Sequence, residues 1–467
     1  MYVHGFPCAS ERANILTLWR FGGTVYAKNP HAEIVSELGY LGGYPMLVSR
    51  SPEVAKQILG VKTDFEKDKM VLNSVSPFGP NVFATNIQDW PRHRKVLQPG
   101  FTTRLYQAVW KETINTYYDF MAVEKWEKEP SFIMPDVPAI TSKFALLLIA
   151  KCGFGTNLAW NEEIGVKITS TSVFILAMLP RWLFDLPLKP LRRLRTARRS
   201  LEVILRRLMD IRRAEGLDND MNHDVFSLLL KANDAEKGSK DHLTDQEVVS
   251  NVFLLLLAGH ETTSRSVAST LGLLACHPEE QEKAYQEIES VVGQNQDPDF
   301  EDFDRFAFVQ GCFFEGLRMF PSSPALFRMA MRDTVLSVPK YDGNTEHVAV
   351  KAGQFVWVDW IGIGYNARVY PSPYNFIPAR WLDPNTETLF NFSYGPRVCI
   401  GKKFAITEAV GVLTLILRDY RIEPVLKEGQ TSREWEEEWL ERGQEAGVGF
   451  GPKGYSVQFI RRSAIQI

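Results

Sequence analysis

From Thr244 the chain runs without a proline until Pro278, and this stretch most constrains the fold. It opens with Thr244-Asp-Gln-Glu247, a capping box with Thr244 as N-cap and Glu247 at N3. Leu243 and Val248 are placed to staple its first turn. The helix predicted between there and His277 would be on the order of 45 Å long. It is apolar nearly all round from Val252 to Leu257, so it must cross the interior of the molecule.

In the middle of that helix stands Ala258-Gly259-His260-Glu261-Thr262-Thr263. An acid and an alcohol among leucines are expensive to bury, so they need partners or a task. Thr262 can turn its hydroxyl back to the carbonyl of Ala258, which loosens the helix there. Ala258 and Gly259 would leave room for a flat cofactor or a small gas molecule. Thr263 and His260 read as structural. By itself, a Glu-Thr pair is most simply a kinked core helix with a capped threonine.

A second stretch, Phe392-Ser-Tyr-Gly395-Pro-Arg397-Val-Cys399-Ile-Gly401, is followed at once by a helical pattern. Gly395 permits a tight turn, and Gly401 lets the backbone come close to a flat ligand. A cysteine just ahead of a helix feels the positive end of its dipole, which favours the thiolate. Such a thiolate suits the axial position of haem iron. The Arg397 fork suits a haem propionate. Without the rest of the pattern, Cys399 would be an ordinary core cysteine.

The spacing of Phe392, Gly395, Arg397, Cys399 and Gly401 resembles the haem-binding loop of the cytochrome P450 family. The resemblance extends from Trp90 to the last strands, with its motifs in order. It implies that Cys399 is the metal ligand of haem b (iron protoporphyrin IX), and that Ala258, Glu261 and Thr262 form the oxygen-binding groove. There the acid and the alcohol would deliver protons for oxygen activation. Trp90 and Arg94 are four apart on one helix face, and in the family such a pair reaches the haem propionates. Arg328, five residues before Asp333, would be a second propionate arginine. Glu315 and Arg318, three apart, would form a buried triad with Arg380 that locks the cysteine loop.

The fold implied is mainly α: a single catalytic domain over residues 1–467, one large helical body with small β-sheets and a buried haem. The remaining residues agree. Glu33–Ser49 reads as two strands joined by a glycine-rich turn. Ser51-Pro52 reads as a helix start. Residues 62–88 read as a long, functional loop. Strands are expected up to Val338, at Gln354–Asp359 and at Tyr455–Ile460. A weak amphipathic helix is expected around Ala13–Trp19, and Glu434–Glu445 reads as a solvated acidic helix or insertion. The apolar segment Phe174–Leu188 next to an arginine-rich helix suits a peripheral membrane contact as well as an ordinary core loop.

A net charge of -3 argues against nucleic acid, and five scattered cysteines point to a reducing compartment. No apolar run is long enough to span a bilayer. The family resemblance implies the cytoplasmic face of the endoplasmic reticulum membrane. The anchor helix and proline-rich hinge usual in fungal and animal members are not found before Glu11, so a soluble cytoplasmic protein is the other reading. The activity implied is monooxygenation of a hydrophobic small molecule. Its electrons would come from a separate donor resembling NADPH-cytochrome P450 reductase, since no flavin or nicotinamide motif appears. That donor would dock on Arg92, Lys95, Lys402 and Lys403. A haem-thiolate isomerase or dehydratase, and a non-catalytic haem binder, are the alternatives; neither needs Glu261 and Thr262.

Overall fold

The computed structural model describes residues 26, 29–37, 45–61, 63–68, 76–156, 158–161, 189–216, 224–293, 296–387, 389–441, 444–446 and 450–462. The helix expected around Ala13–Trp19 and the apolar segment Phe174–Leu188 lie outside them.

Strands β1 (Ile34–Glu37) and β2 (Met46–Ser49) pair antiparallel, with Ile34 opposite Ser49. Ser51 caps α1 (Pro52–Leu59), its hydroxyl accepting from Val54 N–H at 3.3 Å. Within 62–88 the described residues include the two-residue strand β3 (Phe65–Glu66) and otherwise turns. Then come α2 (Trp90–Leu97), α3 (Thr103–Val123), β4 (Ser131–Met134) and α4 (Val137–Leu148), which continues into a π-helical turn at Ile149–Gly153. The arginine-rich helix α5 (Lys189–Glu215) precedes α6 (Val225–Ala235), capped by Asp224.

The long helix, α7, spans Asp245–Cys276; its 32 residues correspond to about 48 Å. The capping box is present: Glu247 N–H donates to the Thr244 hydroxyl at 3.3 Å, and Thr244 N–H donates to the Glu247 carboxylate at 2.8 Å. Leu243 and Val248 are both fully buried. Beyond it lie α8 (Pro278–Val292), α9 (Ala307–Met319), β5 (Ala325–Ala330), β6 (Thr334–Pro339), β7 (Thr345–Val350), β8 (Phe355–Asp359) and the short α10 (Trp360–Gly364). After the cysteine loop come α11 (Lys402–Asp419), β9 (Tyr420–Pro424), α12 (Ser432–Glu441), β10 (Gln444–Ala446), β11 (Phe450–Pro452) and β12 (Val457–Arg461).

The main sheet has the order β1-β2-β8-β5-β3, with β2 and β8 parallel and the other pairs antiparallel. A second sheet is ordered β4-β12-β9, and β6-β7 and β10-β11 are two-stranded. The helices pack into two apolar clusters, and α7 belongs to both. Val248, Val249, Val252, Phe253 and Leu257 join the cluster built with α2, α5 and α6. Val267, Ala268, Leu271 and Leu274 join the one built with α3, α8, α9 and α11. The residues Ala258–Thr262 therefore fall where one core ends and the next begins.

Two expectations need correction. The acidic segment is not a purely solvated helix: α12 buries Trp439 against Phe320, with ring centroids 5.2 Å apart. A Cβ on Gly272 of α7 would stand 2.7 Å from that indole, so the glycine makes the approach possible. Gly259 likewise serves packing. A Cβ there would stand 2.9 Å from the Ile149 side chain, so the glycine makes room for the neighbouring π-helical turn.

Candidate active site

The cysteine loop is bound to its own backbone. Cys399 N–H donates to Phe392 O at 2.8 Å and Val398 N–H to Gly395 O at 3.1 Å, around a single 3₁₀ turn at Gly395–Arg397. Gly395 has φ of 71°, and a Cβ on it would lie 2.3 Å from Leu59 O. Only glycine fits there. Gly401 has an ordinary φ of -86° as N-cap of α11. A Cβ on it would meet the Cys399 sulfur at 3.9 Å, an ordinary van der Waals contact. Ser393 holds φ 65° and ψ -175°, a region almost reserved for glycine, so the loop stores strain.

Among the described cysteines Cys399 is the exposed one; Cys152 and Cys312 are buried. Its surface is accessible, yet it sits so deep among protein atoms that desolvation is the largest influence and pushes the thiol up. Gly401 N–H, Arg94 and Lys402 act the other way. The favoured thiolate expected from the helix dipole is thus outweighed by burial. Coordination to a metal ion deprotonates a thiol regardless.

α2 turns both of its expected residues toward this loop. The Arg94 guanidinium donates to Val398 O at 3.1 Å, and the Arg397 guanidinium lies 5.5 Å from the Trp90 ring centroid. From β5, Arg328 comes within electrostatic reach of Arg397, and burial together with that repulsion lowers it to about 10. A third cation of this group, Lys67, carries no motif that would have marked it. Lys67 is almost fully buried, its ammonium donates to Phe83 O at 2.6 Å, and burial, Arg328 and Arg397 all push its pKa down. Arg397 has a buried Nη2 without a hydrogen-bond partner. Glu66 is the carboxylate that opposes the repulsion. Three crowded cations, one with an orphaned donor, fit a dianionic ligand. The two carboxylates of haem b match that requirement.

On α7, Ala258 is exposed and Thr262 half-buried, between stretches of the helix that join the two cores. The Thr262 hydroxyl donates to Ala258 O at 2.8 Å, as the sequence leads one to expect. The Thr262 carbonyl accepts from Ser266 at 2.9 Å and from Ser322 at 2.8 Å, so the segment after α9 pins this turn. Glu261 is buried; one oxygen lies 3.4 Å from Arg265, and the other has no partner. His260 and Thr263 bond back to their own helix, at Leu256 O and Gly259 O.

The triad also forms. Glu315 accepts from Arg318 at 2.8 and 2.9 Å, from Arg380 at 2.9 Å and from Trp381 Nε1 at 2.9 Å. Arg318 spends its remaining donors on the carbonyls of Gly364, Pro373 and Asn375.

The family model described as Cytochrome P450 matches residues 33–459. The chain belongs to the cytochrome P450 family. It is similar to cytochrome P450 monooxygenase 124 of Postia placenta, 32% identical over 84% of this chain and 78% of the relative. It is also similar to cyclooctat-9-en-7-ol 5-monooxygenase of Streptomyces melanosporofaciens, 27% identical over 88% of this chain and 87% of the relative. A crystal structure of a cytochrome P450 matches in fold with a TM-score of 0.78 at 20% identity, covering 98% of this chain and 100% of the other. This P450 is accordingly a haem-thiolate monooxygenase, an oxidoreductase whose cofactor is haem b. No helix among the described residues is long and apolar enough to cross a membrane.

Proposed function

We propose that Cys399 is the thiolate ligand, that Trp90, Arg94, Arg328, Arg397 and Lys67 hold the haem carboxylates, and that Glu261 and Thr262 manage protons. Phe392, Gly395 and Gly401 shape the loop, and Ala258 offers the cofactor a face that carries only a methyl group. The whole chain would act as one catalytic domain. Haem b, when bound, supplies the activation of dioxygen and the insertion of one oxygen atom into a C–H bond.

The chain's own residues do the rest. Crowded cations with an orphaned donor are satisfied by two carboxylates, which fixes the cofactor's orientation. The Thr262 hydroxyl, one turn from Ala258, would be free to turn its proton away from the Ala258 carbonyl toward the open side of the helix. Glu261, with an unpaired buried oxygen beside Arg265, can renew that proton. The observation that carries this reading is the opening of α7 at Ala258 and Thr262, between the stretches that pack into its two cores. An isomerase or a passive haem binder would need neither the acid nor the alcohol.

The substrate is proposed to be a hydrophobic small molecule. Half-buried Ala325, Leu326 and Phe327 begin three residues after Ser322, and pockets of apolar lining select apolar ligands. The name of the Streptomyces relative, which acts on cyclooctat-9-en-7-ol, agrees with that class. A flavoprotein donor resembling NADPH-cytochrome P450 reductase would supply electrons. A peripheral contact with the endoplasmic reticulum membrane is supported by α5, which exposes Val203, Ile204 and Ile211 among arginines.

The test is turnover of a hydrophobic substrate library with and without oxygen and reductant, in the wild type and Thr262→Ala. Product should require both reagents. The variant should keep its haem while diverting reductant to peroxide. Unchanged product per reductant consumed would remove Thr262 from proton delivery, and product formed without oxygen would favour the isomerase reading.

A further inference from the structure

The back-bond of Thr262 is one rung of three. Along one face of α7 the Thr262 hydroxyl donates to Ala258 O at 2.8 Å, the Ser266 hydroxyl to Thr262 O at 2.9 Å and the Thr270 hydroxyl to Ser266 O at 2.9 Å. Bonds of this kind are common for serine and threonine inside a helix, and they bend it. At its far end the stripe is packed shut: a Cβ on Gly316 of α9 would collide with the Thr270 hydroxyl. At its near end Ala258 is exposed and Thr262 half-buried. Ser322 stands at the boundary. Its hydroxyl donates to Thr262 O at 2.8 Å and lies 2.5 Å from the Ser266 hydroxyl, and both serines are buried. Two hydroxyl protons thus serve three close contacts, so the carbonyl is tied to Ser322 either directly or through Ser266.

Of these two serines, Ser322 comes from outside α7, and its own segment is stiff. Pro321 before it has a fixed φ, and Pro324 keeps Ser323 out of the helical region. The Ser322 carbonyl accepts from Phe450 N–H of β11 at 2.6 Å, and the Pro324 carbonyl accepts from Trp360 N–H at 3.0 Å. The Thr262 turn is therefore located against a fixed segment as well as within its own helix. A helical threonine divides between two χ1 rotamers, because its hydroxyl can reach a carbonyl three or four residues back. Which rotamer it takes depends on where its backbone is held.

We propose that Ser322 is a positioning residue for the monooxygenase reaction: by holding the Thr262 carbonyl from outside the helix, it fixes the direction in which the Thr262 hydroxyl presents its proton. This rests on the proton-handling role of Thr262. Ser322 acts through Thr262 and does not react. Ser266 supplies no such anchor, because its back-bond moves with α7.

The test compares Ser322→Ala with Ser266→Ala in the haem-loaded enzyme, with Thr262→Ala alongside. Each serine variant takes one buried hydroxyl from the same carbonyl and leaves the other, so the two should show similar drops in denaturant midpoint. Only Ser322→Ala should release several-fold more peroxide per reductant consumed, approaching Thr262→Ala. It should also shift the infrared C–O stretch of the reduced carbon monoxide complex in the same direction as Thr262→Ala, with the thiolate Soret band unchanged. If Ser266→Ala uncouples as much as Ser322→Ala, the effect is loss of a buried hydrogen bond and the anchoring role falls. If Ser322→Ala stays coupled and keeps the wild-type stretch while Thr262→Ala uncouples, the anchor is overturned and the role of Thr262 stands. A fully coupled Thr262→Ala would overturn the proton-handling reading and the anchor with it.

Discussion

Arg92 of α2 and Glu247 in the first turn of α7 form a two-pronged ion pair, Nη2 to Oε1 at 2.6 Å and Nη1 to Oε2 at 3.0 Å. It ties the helix that carries Trp90 and Arg94 to the start of the helix that carries Thr262. His93, fully buried between them, receives a hydrogen bond from Asn251 and lies 3.4 Å from the same carboxylate. The loop in front of α2 is fastened to the same place: Val82 N–H donates to Asn251 at 2.8 Å, and Asn81 to Ser250 at 3.2 Å.

Removing this pair should weaken the fold in an acid-dependent way. Burial raises the Glu247 carboxyl, but Arg92 and the Thr244 N–H and hydroxyl outweigh it and hold it at about 2. Its folded pKa lies below the unfolded value, so its contribution is present above about pH 4.3 and is lost as pH falls toward about 2. Glu247→Ala should cost about 2 kcal/mol at neutral pH. The gap to the wild type should narrow in acid. Denaturant unfolding at several pH values checks this, and a gap independent of pH would contradict it.

Replacing Cys399 by serine should abolish the red-shifted Soret band of the reduced carbon monoxide complex. The loop's shape comes from Gly395 and backbone hydrogen bonds, so the protein should still fold. A variant that keeps the band would place the thiolate elsewhere.

The features that sequence alone made legible are local ones. The capping box at Thr244, the Ser51 cap and the Thr262-to-Ala258 hydrogen bond each close within four residues, so their geometry follows from spacing. Motif spacing also carried the cysteine loop and the Glu315 triad, because the family pattern encodes distant partners that spacing cannot. What stayed hidden depends on residues far apart in the chain. Lys67 is one basic residue in an aperiodic loop, and its meaning lies in Arg328 and Arg397, more than two hundred positions away. Gly259 gave no hint that it faces Ile149, nor Gly272 that it receives Trp439.

Glu315→Ala should be among the most damaging single changes. It strands Arg318 and Arg380, both buried, and removes the acceptor of Trp381 Nε1 and of Ile377 N–H. Breaking a buried pair from one side costs about 3–5 kcal/mol. Little haem-loaded protein should accumulate, and its unfolding midpoint should drop sharply. A normal midpoint would show that the network is dispensable.

Lys67→Met should loosen the cofactor without disturbing the thiolate. The side chain is of similar length and keeps its packing against Phe83, but it removes one of three cations in the cradle. Transfer of haem to apomyoglobin should quicken several-fold while the carbon monoxide spectrum stays that of a thiolate. An unchanged transfer rate would take Lys67 out of the cradle.

The last prediction concerns where an electron donor docks. Of the four cations expected to form that face, Arg92 is held by Glu247, and Lys95 is held by Glu236 at 3.0 Å and Asp241 at 2.7 Å. Lys403 lies over the Phe303 ring at 3.6 Å with Asp304 at 3.9 Å. Lys402 is exposed at the start of α11, three residues from Cys399, and its nearest described partner is the Phe392 ring at 5.7 Å. Positive charge offered to an acidic donor should therefore centre on Lys402 and Lys403. Replacing both with glutamate should slow the first electron transfer at low ionic strength, and salt should shrink the difference from the wild type, because exposed charges are screened within about 10 Å at 0.1 M. Arg92→Glu should instead lower stability, since it sets two carboxylates against each other at the head of α7. If the lysine variant is reduced at the wild-type rate in low salt, the donor approaches another face.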